Sequence, residues 1–116
     1  MIYREMIVWQ KAMELVKEIY CLVKKLPKEE TYSLSDQMRR AATSIPSNIA
    51  EGAGRGSDKD FSHFISISMG SMFELNTQLV LSERLGFIDH TQYKKIQEYL
   101  DNLQRMAVSF KNKLDS

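Results

Sequence analysis

Apolar residues recur at steps of three and four along nearly the whole chain, and this rhythm predicts four helices. In residues 5–25, Trp9, Ala12, Val16, Ile19, Val23 and Leu26 form an unbroken a/d-type seam, and Val8, Leu15 and Leu22 add a second apolar row beside it. The arc is wider than one bundle seam requires. Pro27 closes this helix, and Ser33 with Asp36 starts the second as a variant of the capping box. The second helix carries Leu34, Met38, Ala41, Ile45 and Ile49 on its apolar row to about residue 53. Pro46 lies inside it, where the missing N–H and the clash with the Ala42 carbonyl predict a bend. Gly52, Gly54 and Gly56 then mark a turn.

Ser57 and Asp60 repeat the Ser-x-x-Asp start for a third helix, with Phe61, Ile65, Ser68, Met72, Leu75 and Leu79 as its core row to about residue 85. Gly86 predicts a Schellman-like ending, followed by the apolar Phe87 and Ile88. Asp89 and Gln92 form a capping box for the fourth helix, which continues through Tyr93, Ile96, Leu100, Leu103, Ala107, Phe110 and Leu114. No strand pattern competes. Short connections make consecutive helices antiparallel, so the expected fold is all-α, an antiparallel up-down-up-down four-helix bundle forming a single domain over residues 1–116.

The third helix departs from a simple amphipathic pattern. Ser66, Ser68, Gly70 and Ser71 are small, and Gly70 costs about 1 kcal/mol relative to alanine in a helix, so a close approach by a neighbouring backbone is expected there. Met69, Phe73 and Val80 point away from the seam. Together with the wide arc of the first helix, they predict self-association through helices one and three.

The second helix carries a polar stripe as well as its apolar row. Arg40, Ser44, Asn48 and Glu51 fall at i, i+4, i+8 and i+11, close to the apolar row. One reading is a hydrogen-bonded network, joined by Glu74 of the third helix, that sets how helices or subunits pack. The other is a surface for a ligand or RNA, with Arg39 and Arg40 as its cationic part.

Composition narrows the function classes. A chain of 116 residues, 43% of them hydrophobic, suits one core, and no apolar run is long enough to span a bilayer. Residues 1–6 lack the layout of a signal peptide, so a cytoplasmic protein is expected. Cys21 is the one cysteine and falls on a polar face beside Lys17, Glu18, Lys24 and Lys25; it is read as incidental. Sixteen basic and fifteen acidic residues leave a formal charge of +1, which argues against strong non-specific binding to nucleic acid. The candidate RNA contacts are Lys17, Lys24, Lys25, Lys28, Arg39 and Arg55. Because acids such as Glu18, Glu29 and Glu30 are mixed among them, one chain should bind weakly and with steep salt dependence, and an oligomer would gain by avidity.

Catalytic and metal motifs are thin. Asp60 and His63 make half of a carboxylate-x-x-His pair without a second half, and His90 belongs to a capping turn. There is no Gly-x-Ser-x-Gly elbow and no evident base for Cys21. The glycine-rich turn at residues 52–57 follows a helix, lacks the lysine of a phosphate loop, and is followed by Asp58 and Asp60, which would repel an anion. The expectation is therefore a non-enzymatic protein with no catalytic residues, no metal, no cofactor, no small-molecule substrate and no membrane association.

Val8, Trp9, Gln10, Lys11 and Ala12 combine with Gln37 to Ala42, with the run from Ser44 through Pro46 and Asn48 to Gly52, and with Gly70, Ser71, Glu74 and Leu75. On these residues the sequence resembles the small four-helix-bundle proteins named after the intervening sequences of bacterial 23S ribosomal RNA, which are related to accessory proteins of diversity-generating retroelements. The resemblance runs nearly end to end and implies a bacterial homopentamer with a role beside structured RNA or a reverse transcriptase. The near-neutral charge departs from the basic retroelement relatives. Two functions are thus expected: an oligomeric accessory or scaffold protein engaging structured RNA or a ribonucleoprotein, and a protein-protein adaptor that organises a partner such as a polymerase without touching nucleic acid.

Overall fold

In the computed structural model, which describes residues 2–116, the chain folds into four long helices: α1 (Ile7–Val23), α2 (Leu34–Ala53), α3 (Asp58–Arg84) and α4 (His90–Asp115). Two short 3-10 turns, Tyr3–Glu5 and Lys28–Glu30, precede α1 and α2. Each helix packs against its chain neighbours, α4 returns to α1, and the backbones of the diagonal pairs stay farther apart. Contacts consistent with an up-down-up-down course tie three of the four seams. Ser82 lies opposite Met38 and Ser68 opposite Ile45 on α2 and α3; Ser62 meets Asp115 on α3 and α4; Tyr99 meets Lys11 on α4 and α1. The all-α reading holds, and the bundle measures 43 × 24 × 20 Å.

The core is one continuous apolar cluster with a contribution from every helix. On α1 its centre differs from the expected seam. Val8, Ala12, Leu15, Ile19 and Leu22 are buried, whereas Trp9 and Val16 are half-buried at the edge. The supposed second row therefore faces the core, because the flanking helices α2 and α4 meet α1 from both sides and cover the whole arc. Trp9 instead stacks edge-on against Tyr3, ring centroids 5.4 Å apart. α1 also begins at Ile7, since residues 3–5 wind into the tighter turn.

Of the three helix starts at which the sequence signals a cap, two obey it. Asp89 and Gln92 form a full capping box, and the Ser57 hydroxyl accepts from the Asp60 amide. Ser33 does not cap. Its backbone is not extended, its hydroxyl donates to Glu30 at 2.8 Å, and Asp36 is held instead by Arg40 at 3.0 Å. The 3-10 turn presents the Glu30 carboxylate to Ser33 before the helix can. α3 ends in the expected Schellman arrangement, with Gly86 at φ +78° and the Phe87 amide reaching the Ser82 carbonyl at 2.9 Å.

α2 continues through Pro46, whose missing N–H leaves the Ala42 carbonyl without its helical donor. Ser68 of α3 adds a buried bond to the neighbouring Ile45 carbonyl at 2.9 Å. The close approach of backbones lies at Gly52 and not at Gly70. A Cβ on Gly52 would stand 2.8 Å from Phe64 Cβ and 3.3 Å from Phe61 Cα, while one on Gly70 meets nothing within 4 Å. Gly70 lies on the exposed side of α3, with Ser66 and Phe73, so its small size leaves open surface within this chain.

At the far seam, burial raises the Tyr99 phenol, aided by Glu14 and Glu18, and keeps it a donor to the Lys11 carbonyl at 2.9 Å. Hydrogen bonds from Lys111 and then Ser62 hold Asp115 below the usual carboxylate range, fixing the end of α4 to the start of α3. No helix among the described residues is long and apolar enough to cross a membrane.

The two glycines have opposite expected responses. In urea unfolding, Gly52→Ala should lower stability by about 1–2 kcal/mol, because overpacking outweighs the gain in helix propensity. In the isolated, unassociated chain Gly70→Ala should raise it by up to about 1 kcal/mol.

Candidate nucleic-acid interface

α1 ends where Lys24 takes the C-cap and the Leu26 amide folds back on the Val23 carbonyl at 3.1 Å. The chain then turns through Pro27 and the 3-10 segment and enters α2 at Leu34. This corner leaves a cleft of about 420 Å³. Buried Val23, Leu26 and Ser35 form its floor, half-exposed Tyr20 and Thr31 flank it, and Lys24, Lys28 and Arg39 bring three cations to it. No carboxylate lines it. Two i, i+4 pairs build the site, Tyr20 with Lys24 on α1 and Ser35 with Arg39 on α2, facing each other across the turn.

The cations differ in freedom. Arg39 donates to the Thr31 carbonyl at 3.1 Å and stands 4.0 Å from Asp36, which orients the guanidinium while leaving other N–H groups to donate. Asp36 is shared with Arg40, so its charge is largely met. Lys24, Lys25 and Lys28 take part in no ion pair among the described residues. Lys24 and Lys25 also lie at the negative end of the α1 dipole, where cations are favoured.

The other candidate contacts are dispersed. Lys25 borders a small adjacent depression with Glu18, Cys21 and Lys95, the last 3.9 Å from Glu18. Lys17 pairs with Glu14 at 3.8 Å on the open side of α1. Arg55 pairs with Glu51 at 3.2 Å and lies 4.9 Å from the centre of the Phe64 ring. It sits at the other end of α2, roughly 30 Å from the cleft by helix rise.

The polar stripe on α2 divides. Ser44 bonds Ser71 of α3 at 2.8 Å, and the Asn48 amide donates to both the carbonyl and the hydroxyl of Ser44. Arg40 is 80% exposed and turns to Asp36, Glu51 turns to Arg55, and Glu74 is exposed on α3. Within the chain, then, Ser44, Asn48 and Ser71 are brought together and Arg40, Glu51 and Glu74 are not. The i, i+4 pull of Asp36 and Arg55 explains the split.

His63 is exposed and stacks edge-on to Phe64, and His90 Nδ1 lies 2.7 Å from Glu83. No three His, Cys, Asp or Glu groups among the described residues converge as metal ligands would. A larger groove of about 660 Å³ between the start of α1 and the end of α4 is lined by Met6, Val8, Met106, Phe110 and Leu114, with Glu5 and Lys113 as its charged residues. It brings no cluster of cations together.

The family model for the 23S rRNA-intervening sequence protein matches residues 4–109. The chain belongs to that family. A crystal structure of a protein with unknown function from the S23 ribosomal protein family of Bacteroides thetaiotaomicron VPI-5482 superposes with a TM-score of 0.82 at 29% identity. The match covers 89% of this chain and 96% of that one. No curated protein matches. The cleft, at residues 20–39, lies wholly inside the segment matched by the 23S rRNA-intervening sequence protein model.

Tyr20, Thr31 and Ser35 are the cleft residues that sequence reasoning passed over. For Tyr20 and Ser35 the signal was present as helical spacing from Lys24 and Arg39, but it acquires meaning only when the turn brings the two helices together; Thr31, in the turn itself, had none. Removing the Ser44 hydroxyl strips partners from both Ser71 and Asn48, so Ser44→Ala should cost about 1–2 kcal/mol in urea unfolding. Arg40→Ala, which breaks an exposed pair, should cost at most about 0.5 kcal/mol.

Proposed function

We propose that this protein is a non-enzymatic, oligomeric accessory or scaffold protein of the cytoplasm that engages structured RNA through the α1–α2 cleft. The observation that carries the reading is the convergence of Lys24, Lys28 and Arg39 on one cleft that no carboxylate lines. The net charge of +1 makes each copy a modest ligand for phosphate. Repeating the cleft in a ring, five times as the family resemblance implies, multiplies the affinity when the clefts reach one RNA.

Self-association is supported by apolar side chains that the single chain leaves uncovered on α3, namely Phe73 at 62% exposure with Ile67 and Leu81, and by Ile7 and Met13 on α1. The same surface, with the near-neutral charge, favours a second reading in which the assembly is an adaptor for a protein such as a polymerase. Phe73→Asp should shift the purified protein to smaller species by light scattering, and an unchanged mass would remove Phe73 from the self-contact.

Fluorescence anisotropy of a labelled structured RNA, titrated at several salt concentrations, tests the leading reading. Binding should weaken log-linearly with salt, and Lys24→Gln with Lys28→Gln should lessen the slope by about 1–2 for each copy that contacts the RNA. Absence of binding even at low salt would defeat the RNA reading and leave the adaptor.

A further inference from the structure

We infer that the α1–α2 cleft receives a single unpaired nucleotide, with its base stacked on Tyr20 and its phosphate held by Lys24 and Lys28. This inference rests on the RNA-binding reading and specifies which form of RNA the cleft selects. A patch that binds only phosphates needs cations or N–H donors and gains nothing from an apolar floor. Here the cations surround an apolar floor of Val23 and Leu26, with Tyr20 beside it at 44% exposure. An aromatic side chain left this open on a helix, one turn from a lysine, offers a stacking face next to a phosphate contact.

Size and access point the same way. A cleft of about 420 Å³ is near the lower end of the roughly 300–1,000 Å³ typical of pockets for small ligands, enough for one base with its sugar. Paired bases in an A-form helix are stacked inside, so a duplex presents its backbone and shallow minor-groove edges to this corner but no free base face to stack on Tyr20. A nucleotide splayed from a loop, bulge or single strand can place its base on the floor. Arg39, already oriented by the Thr31 carbonyl at 3.1 Å, then has donors directed at a base edge, and the Ser35 and Thr31 hydroxyls supply groups that both donate and accept. Tyr32, 94% exposed in the same turn, adds a second aromatic face just outside the cleft.

The test compares three labelled RNAs with the full-length purified protein: a twelve-nucleotide single strand of mixed sequence, a hairpin carrying an unpaired loop, and a blunt duplex of matched length, on the order of one full helical turn. The wild type should bind the single strand and the loop at least about tenfold more tightly than the duplex. Tyr20→Leu should weaken single-strand and loop binding by about tenfold or more while leaving duplex binding and the salt slope unchanged, and Tyr20→Phe should retain the preference. A 2-aminopurine placed in the loop should be quenched on binding to the wild type and not to Tyr20→Leu. Equal affinity for duplex and single strand, unaffected by Tyr20→Leu, would overturn this inference while leaving a phosphate-binding RNA protein intact. Failure of all three RNAs to bind at low salt would overturn the RNA reading and this inference with it. Because Tyr20 is half-exposed and outside the core, circular dichroism of Tyr20→Leu should match the wild type.

Discussion

The seam between α2 and α3 is the constraint on which the rest of this bundle depends. At one end Gly52 lets the backbone of α3 approach so closely that a single methyl would collide with Phe61 and Phe64. In the middle, buried Ser68 ties α3 to the Ile45 carbonyl next to a proline, and Ser71 meets Ser44 one turn away. At the other end Ser82 lies against Met38. These contacts fix both the depth and the register of α2, and α2 carries Ser35 and Arg39. The cleft therefore inherits its geometry from a seam on the opposite side of the helix. α1 completes it by packing a fully buried arc between α2 and α4, which sets Tyr20 and Lys24 at the rim with little freedom to drift.

Net charge is a poor guide to such a surface. Sixteen cations and fifteen anions almost cancel, yet their placement does not. Many of the acids are spent locally on i, i+3 and i, i+4 partners: Glu14 with Lys17, Asp36 with Arg39 and Arg40, Glu51 with Arg55, Asp115 with Lys111. Such exposed pairs contribute little stability, but each neutralises a cation at short range. Cations outside these pairs are spread along the chain, and Lys24, Lys25 and Lys28 are the three of them that fall together, at the end of α1 and in the turn that follows. Beyond about 8–10 Å, a Debye length at physiological salt, the far acids are screened, so a ligand in the cleft experiences Lys24, Lys28 and Arg39 against the nearby Glu29, Glu30 and Asp36.

The helices were legible in the sequence because a single-chain bundle leaves a strong periodic trace, and the signals at residues 86 and 89 act locally, Gly86 through its positive φ and Asp89 through its side-chain bond to the Gln92 amide. What was misread shares a cause: it depended on which neighbour lies on which side. On α1 two apolar rows were visible and both reach the core, Ala12, Ile19, Val23 and Leu26 from the first and Val8, Leu15 and Leu22 from the second, while the packing of α2 and α4 left Trp9 and Val16 at the edge, which periodicity could not say. Gly52 and Gly70 look alike in sequence, and only the partner helix distinguishes a required glycine from an open one. Ser33 lost its capping role to a carboxylate three residues earlier in a turn that the periodicity did not announce. The candidate site follows the same rule. Lys24, Lys28 and Arg39 were readable as cations, and their convergence with Tyr20 was not, since it spans a chain reversal.

The position of the cleft relative to the uncovered apolar surface bears on how one small domain could both assemble and bind. Phe73 is carried by α3, whose backbone neighbours are α2 and α4, with α1 on the diagonal. A neighbouring subunit seated on that face would cover Ile67, Phe73 and Leu81 and leave the corner between α1 and α2 open to solvent. Burying those side chains also removes the apolar surface that a lone chain exposes, so assembly would be driven by contacts that do not compete with the cations for ligand. Gly70 sits on the same face with nothing within 4 Å of the Cβ position, so a partner helix could approach the α3 backbone there as closely as α3 approaches α2 at Gly52. The helix-propensity penalty of a glycine in mid-helix then has a physical counterpart outside the chain, since an alanine that stabilises the isolated fold would stand in the path of the neighbour.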